Sequence, residues 1–130
     1  MGKIPNDIYS QCYAIAKSYY TMLARRREWE EEILFASQCS DGQPKGNGTG
    51  NPTAAKAERL IEAKARNDWK IRAVEQAWAR MADETEREFI KLNIFKGVRM
   101  HYIELPMSIM SMKRVRGRFI KYLAEELKEV

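Results

Sequence analysis

Residues 97 to 127 read GVRMHYIELPMSIMSMKRVRGRFIKYLAEEL, and the fold turns on how that stretch divides. Its pattern predicts a short helix from Val98 to Glu104, a turn at Pro106 and a longer helix opening at Ser108. Pro106 disfavours helical geometry at Leu105, and the Ser108 hydroxyl can accept a hydrogen bond from a backbone N–H one turn in. Steps of about 100° from Met112 put Val115, Phe119, Ile120, Leu123 and Leu127 on one arc, the apolar stripe of a helix packed on a core. Met110, Lys113, Arg114, Gly117, Arg118 and Lys121 fall on the opposite arc. Five cations, Lys113, Arg114, Arg116, Arg118 and Lys121, stand within nine residues, and no acid interrupts them. The pattern predicts a helix-turn-helix whose second helix enters a DNA groove.

In such motifs the first residues of the second helix meet base edges, and contacts to phosphate fix its register. Met110, Ser111, Lys113 and Arg114 are therefore the expected base readers, while Arg118 and Lys121, further along, are expected on phosphate. Gly117 costs roughly 1 kcal/mol of helix stability relative to Ala. Its missing side chain either lets the backbone approach DNA closely or is tolerated on a solvated face. Arg116 breaks the division, falling at about 40° on the apolar arc. Its stem is expected to pack there while the guanidinium pairs with an acid of the preceding helices.

Charge supports the same reading. The 130 residues carry a net +5, and the excess is uneven: residues 1 to 95 hold 15 bases and 14 acids, 96 to 121 hold 7 and 1, and 122 to 130 hold 1 and 3. A charge excess confined to one stretch favours a polyanionic partner. Cys12, Cys39 and the single His101 cannot supply four zinc ligands in any usual spacing, so no metal is expected, and reduced thiols fit a cytoplasmic protein. No apolar leader and no run of about 18 apolar residues appears, which predicts neither secretion nor membrane insertion. No nucleophile, acid and base are grouped in the sequence, so neither catalysis nor a cofactor is expected.

Upstream, Asn6 or Asp7 is expected to cap a long helix reaching about Ala36, with Ile8, Cys12, Ile15, Tyr19, Leu23 and Ile33 as its seam. Unbroken, it would span roughly 45 Å. Arg25, Arg26 and Arg27 directly precede Glu28, Glu30, Glu31 and Glu32, a charge pairing typical of a solvated face or a register device. The tyrosines Tyr9, Tyr13, Tyr19 and Tyr20 follow helical spacing and read as packing residues. Residues 37 to 51, SQCSDGQPKGNGTGN, hold four glycines and one proline and read as a linker. GNGTG within it lacks the Gly-Lys-Ser/Thr ending and the preceding strand of a phosphate loop. Asn51 is expected to cap a second long helix with Pro52 at its first position. Ala57, Leu60, Ile71, Val74, Trp78 and Met81 form its seam, with Lys64 and Asn67 as polar entries that favour one register. This helix pairs either with the first as an antiparallel hairpin or with a second copy as a coiled coil. Asp83 opens the next helix with a capping-box pattern shared with Glu86. That helix runs to about Phe95 with Phe89, Leu92 or Ile90, and Phe95 inward, and Gly97 stops it.

The run NGTGNPTAAKAERLIE at residues 47 to 62, the acid-capped helix and the pattern S-x-x-S-x-x-R-x-R-x-R-F from Ser108 to Phe119 together resemble the RinA/ArpU-type phage transcriptional regulators. The C-terminal helix-turn-helix of that family is similar to region 4 of bacterial sigma factors. The resemblance implies a phage or prophage protein acting at promoters of late, packaging or lysis genes. The chain departs from the family's pattern at Met112, Lys113 and Val115. The expected fold is all-α: a long antiparallel helical hairpin over residues 1 to 82, then a three-helix head over residues 83 to 130. The expected function is sequence-specific binding of double-stranded DNA, with RNA polymerase as a further partner and homo-oligomerisation through the hairpin. Two alternatives stay open, a small terminase-like packaging protein and a protein-interaction module that does not bind DNA.

Overall fold

A computed structural model describes residues 4–39 and 52–129. The chain is all-helical: α1 (Asn6–Lys17), α2 (Tyr19–Cys39), α3 (Pro52–Ala79), α4 (Glu84–Ile90) continued by a π-helical turn (Lys91–Phe95), a 3-10 turn (Met100–Tyr102) and α5 (Ile109–Glu126). No strand occurs among the described residues.

The expected first helix is interrupted at Ser18. The Ser18 N–H is shared between the carbonyls of Ala14 (3.2 Å) and Ile15 (3.1 Å), and its hydroxyl donates back to Ala14 O at 2.9 Å. A side chain that competes for backbone acceptors in this way bends or ends a helix. The start also differs. Pro5 holds the N-cap position without a side-chain hydrogen bond, so neither Asn6 nor Asp7 caps α1. Backbone helix continues to Cys39, three residues into the expected linker. The remainder of that linker and the expected cap Asn51 lie outside the described residues. Pro52 is the first residue of α3, as its lack of an N–H favours.

The residues pack as two compact units, Met1–Tyr20 with Lys70–Val130, and Thr21–Trp69. This differs from the expected division at residue 82. Physically, α1 and the C-terminal half of α3 carry apolar residues that close a core with α4 and α5. Cys12, Ala16, Ile71, Val74, Ala77 and Met81 are buried in the first unit, together with Phe89, Ile90, Ile94, Phe119, Ile120 and Leu123. Burial pushes the Cys12 thiol above its usual range, and the Glu129 carboxylate adds to that.

Phe95 is the aromatic hub of this core. Its ring lies 4.7 Å from Tyr19, 5.5 Å from Trp78, 6.0 Å from Tyr20 and 6.1 Å from Phe119, in tilted and edge-on arrangements that aromatic quadrupoles favour. The π turn explains how it gets there. Widening one turn lets Asn93, Ile94 and Phe95 all turn inward. An α-helix of the same sequence would bury a narrower stripe. Ile90 takes the inward position left open in the sequence, while Leu92 is half-buried. Gly97 ends this helix at φ +73°, where only glycine avoids a side-chain penalty, and Val98 N–H returns to Leu92 O at 2.9 Å.

Polar contacts fix the junctions of the first unit. Tyr19 donates its hydroxyl to Glu75 at 2.7 Å, and the Trp78 indole N–H donates to Arg87 O at 3.0 Å. The Arg87 guanidinium in turn donates to Met81 O. Arg80 reaches Glu125 (2.8 Å) and Glu126 (3.3 Å) while lying 4.1 Å over the Tyr122 ring, which ties the end of α3 to α5.

In the second unit α2 and α3 run past each other in opposite senses. Asn67 donates to Met22 O at 2.9 Å, and Lys64 lies 3.7 Å from Glu30 and 2.8 Å from Asp68. Both polar entries of the α3 seam therefore find partners, and Asn67 is buried. The hydrogen bond to Asp68 raises the Lys64 pKa. Arg26 and Glu30 form an exposed pair at 4.0 Å.

Candidate nucleic-acid interface

α5 is the element that divides an inner apolar face from an outer basic one. Ser108 sits in extended geometry and its hydroxyl accepts from Ser111 N–H at 3.1 Å, the cap the sequence predicts. Met112, Val115, Phe119, Ile120, Leu123 and Ala124 are the buried face, and Leu127 follows just past the helix end. Of the expected arc only Ala124 was missed.

The segment before α5 is not the expected helix. In place of a helix from Val98 to Glu104 there is one 3-10 turn, Met100–Tyr102, flanked by extended backbone at Arg99 and Ile103. Gly97 and Pro106 bracket a span too short, once both ends are extended, for an α-helix to repay its nucleation. The partner helix nearest the start of α5 is α4, and the expected capping box there takes another form. Asp83 accepts from Thr85 N–H at 2.8 Å, and Glu86, instead of reaching back, accepts from Arg118.

The seven expected DNA contacts fare differently. Met110 is 66 % exposed, and Lys113 and Arg114 are exposed with no ion pair among the described residues. Ser111 is half-buried, and its hydroxyl is drawn into the cap, accepting from Ser108 at 3.1 Å. The Arg118 guanidinium meets both carboxylate oxygens of Glu86, at 3.1 and 3.2 Å, so its charge is partly compensated. Lys121 is half-buried and engaged within the protein. A Cβ at Gly117 would meet nothing within 4 Å, so the glycine leaves open space on that face. A cleft of about 360 Å³ lies along this side, lined by Asp83, Glu86, Ser108, Ser111, Arg114 and Arg118 among others.

Arg116 does pack inward, but its guanidinium finds a ring and not an acid. Its Cζ lies 5.7 Å from the centre of Tyr13, its Nε has no hydrogen-bond partner, and no ion pair to it occurs among the described residues. Sequence reasoning flagged the anomaly of Arg116 and missed its neighbours. Lys17 from α1 and Arg99 and His101 from the segment after Gly97 line one cleft with it, although neither stretch adjoins Arg116 in the chain.

Among the described residues no group of three His, Cys, Asp or Glu side chains is placed to hold a metal ion, and no helix is long and apolar enough to cross a membrane. The chain matches no family model, and no curated protein or solved structure matches it either.

Proposed function

We propose that this protein is a sequence-specific double-stranded DNA-binding regulator of phage or prophage genes, akin to the RinA/ArpU-type regulators, working without catalysis in the bacterial cytoplasm. One observation carries the reading. α5 opens behind a serine cap and presents Met110, Lys113 and Arg114 to solvent on the side opposite its buried face. A helix with an outward, acid-free N-terminal turn is the form that enters a major groove, where Lys and Arg donate to guanine acceptors and an apolar side chain contacts the thymine methyl. Arg118 supplies a phosphate contact by exchanging Glu86 for the backbone, and Gly117 allows that approach.

The test is fluorescence anisotropy with a random duplex and with phage promoter fragments at two salt concentrations. Salt-sensitive binding with one preferred fragment supports the proposal. No binding to any duplex at low salt overturns it.

A protein-interaction role has its own observation. Among its described residues the second unit buries little beyond Met22 and Asn67, yet leaves Leu34, Phe35, Ile61 and Trp69 exposed. Exposed apolar residues mark a contact surface where they form one patch, here for a second copy or for a partner such as RNA polymerase. A small terminase-like packaging protein would use such a surface to build a ring of roughly eight or more copies, whereas a regulator needs one or two. Sedimentation equilibrium on the full chain separates them.

A further inference from the structure

A second cavity, of about 330 Å³, lies in the first unit against the other side of α5 from Arg114 and Arg118. Its volume is at the lower end of the range for small-molecule sites, about 300 Å³. Tyr13, Lys17, Asn93, Arg99, His101 and Arg116 line it, and among the described residues no acid does. Three permanent cations thus arrive from α1, from the segment after Gly97 and from α5. Lys17 Nζ and Arg116 Cζ both approach the Tyr13 ring, at 5.6 and 5.7 Å from its centre. Like charges held around one cavity with no acid to separate them repel one another, and an anion between them reverses that term.

Two hydrogen-bonding atoms of the lining are also unmatched. Arg116 Nε is shielded from solvent and has no acceptor. Asn93 is 7 % exposed, spends its amide N–H on Val98 O at 2.9 Å and leaves Oδ1 without a donor. A buried polar atom left unmatched costs roughly 1–3 kcal/mol, so each calls for a partner. One is a donor and the other an acceptor. Both lie just behind the cavity wall, closed to water, and meet an anion that also carries an O–H or N–H only if Arg116 and Asn93 turn toward it.

We propose that this cavity binds a small phosphorylated ligand, its phosphate held by Lys17, Arg99 and the Arg116 guanidinium and its own donor group turned to Asn93. Phosphate is favoured over carboxylate because a phosphomonoester carries about −1.5 to −2 charges at neutral pH, closer to the three cations present, and because the guanidinium fork matches its oxygens. The site is independent of the DNA reading, since it uses none of the residues assigned to that interface.

The experiment is a titration of the ¹⁵N-labelled full chain with inorganic phosphate, at ionic strength held constant with sodium chloride, following the Arg116 Nε–H, the Asn93 side-chain amide and the Gly97 amide. Saturable shifts of these three signals are expected. Arg116→Met keeps an unbranched packing stem, and should raise the phosphate dissociation constant by about tenfold, the loss of one charge-assisted hydrogen bond. If that variant fails to fold, Lys17→Gln and Arg99→Gln, both at exposed positions, serve the same purpose. A dissociation constant raised about tenfold by these variants carries the proposal whatever their duplex affinity. Shifts that merely track chloride overturn it. So does weakened duplex binding by the Lys17 and Arg99 variants without phosphate saturation, which would make the cavity a contact for the nucleic-acid backbone.

Discussion

At the scale of single residues, two positions have consequences that substitution can measure. Lys128 takes φ +63° directly after α5. Its N–H bonds Glu125 O at 3.1 Å, and Glu129 N–H bonds Ala124 O at 2.9 Å, the paired bonds of a helix stop that glycine usually occupies. A non-glycine residue there bears roughly 1–2 kcal/mol of backbone strain, part of which glycine returns to the unfolded chain as entropy. Lys128→Gly should therefore raise stability by about 0.5–1 kcal/mol, read as a higher urea midpoint with an unchanged slope. The second is Glu86, which compensates Arg118 across the α4–α5 groove. Such a part-exposed pair adds little to stability, about 0–1 kcal/mol. If Arg118 serves DNA, Glu86→Gln should leave the fold intact and strengthen duplex binding about twofold to fivefold at low salt. Weaker or unchanged binding in that variant would place Arg118 in a purely structural role.

At the scale of elements, α5 offers the sharpest test because its central glycine has competing explanations. Gly117 lies inside a helix with open space at its Cβ position, so Gly117→Ala should stabilise the protein by about 1 kcal/mol. The same substitution should lower duplex affinity if the backbone there approaches DNA. A variant that gains stability and binds as before marks Gly117 as a tolerated residue on a solvated face. The faces of α5 were legible in the sequence because one side of a regular helix repeats every 3.6 residues, and Met112 to Leu127 keep that repeat. Lys64 and Asn67 were legible for the same reason, as polar interruptions of a seam. The break at Ser18 was not, since a serine is tolerated within helices and its back-bond to Ala14 leaves no trace in the apolar pattern. Nor was the π turn. Lys91–Phe95 preserves apolar spacing compatible with an ordinary helix, and only packing around Phe95 decides between the two. The 3-10 turn at Met100–Tyr102 was misread because local propensity could not weigh the extended backbone on either side. The Arg116 cavity illustrates the general limit: its cations come from three separate stretches, and no periodicity links them.

At the scale of the molecule, the question is whether the +5 charge acts through one face or diffusely. The acids and bases of residues 1 to 95 nearly cancel, and several pair directly, as Lys64 does with Asp68 and Glu30. The excess in residues 96 to 121 is itself divided. Arg118 faces Glu86 and Arg116 faces Tyr13, whereas Lys113 and Arg114 stand in solvent. If binding works through α5, these last two should carry its sequence preference, and the salt slope shows whether they also touch phosphate. Each phosphate contact contributes about 0.9 to the slope of log affinity against log salt. If the two meet phosphate, Lys113→Gln with Arg114→Gln should flatten the slope by roughly two units. If they read bases, as proposed, the loss should fall on the preferred fragment with little change of slope. Arg25→Gln with Arg27→Gln, the same loss of charge elsewhere in the chain, should leave slope and preference unchanged. Equal flattening by both pairs would mean that net charge and not an interface attracts DNA. Measuring the slope on preferred and random duplexes adds the final distinction. A base-reading contact at Arg114 costs about 1–3 kcal/mol on the preferred fragment alone, but a phosphate contact weakens both fragments alike.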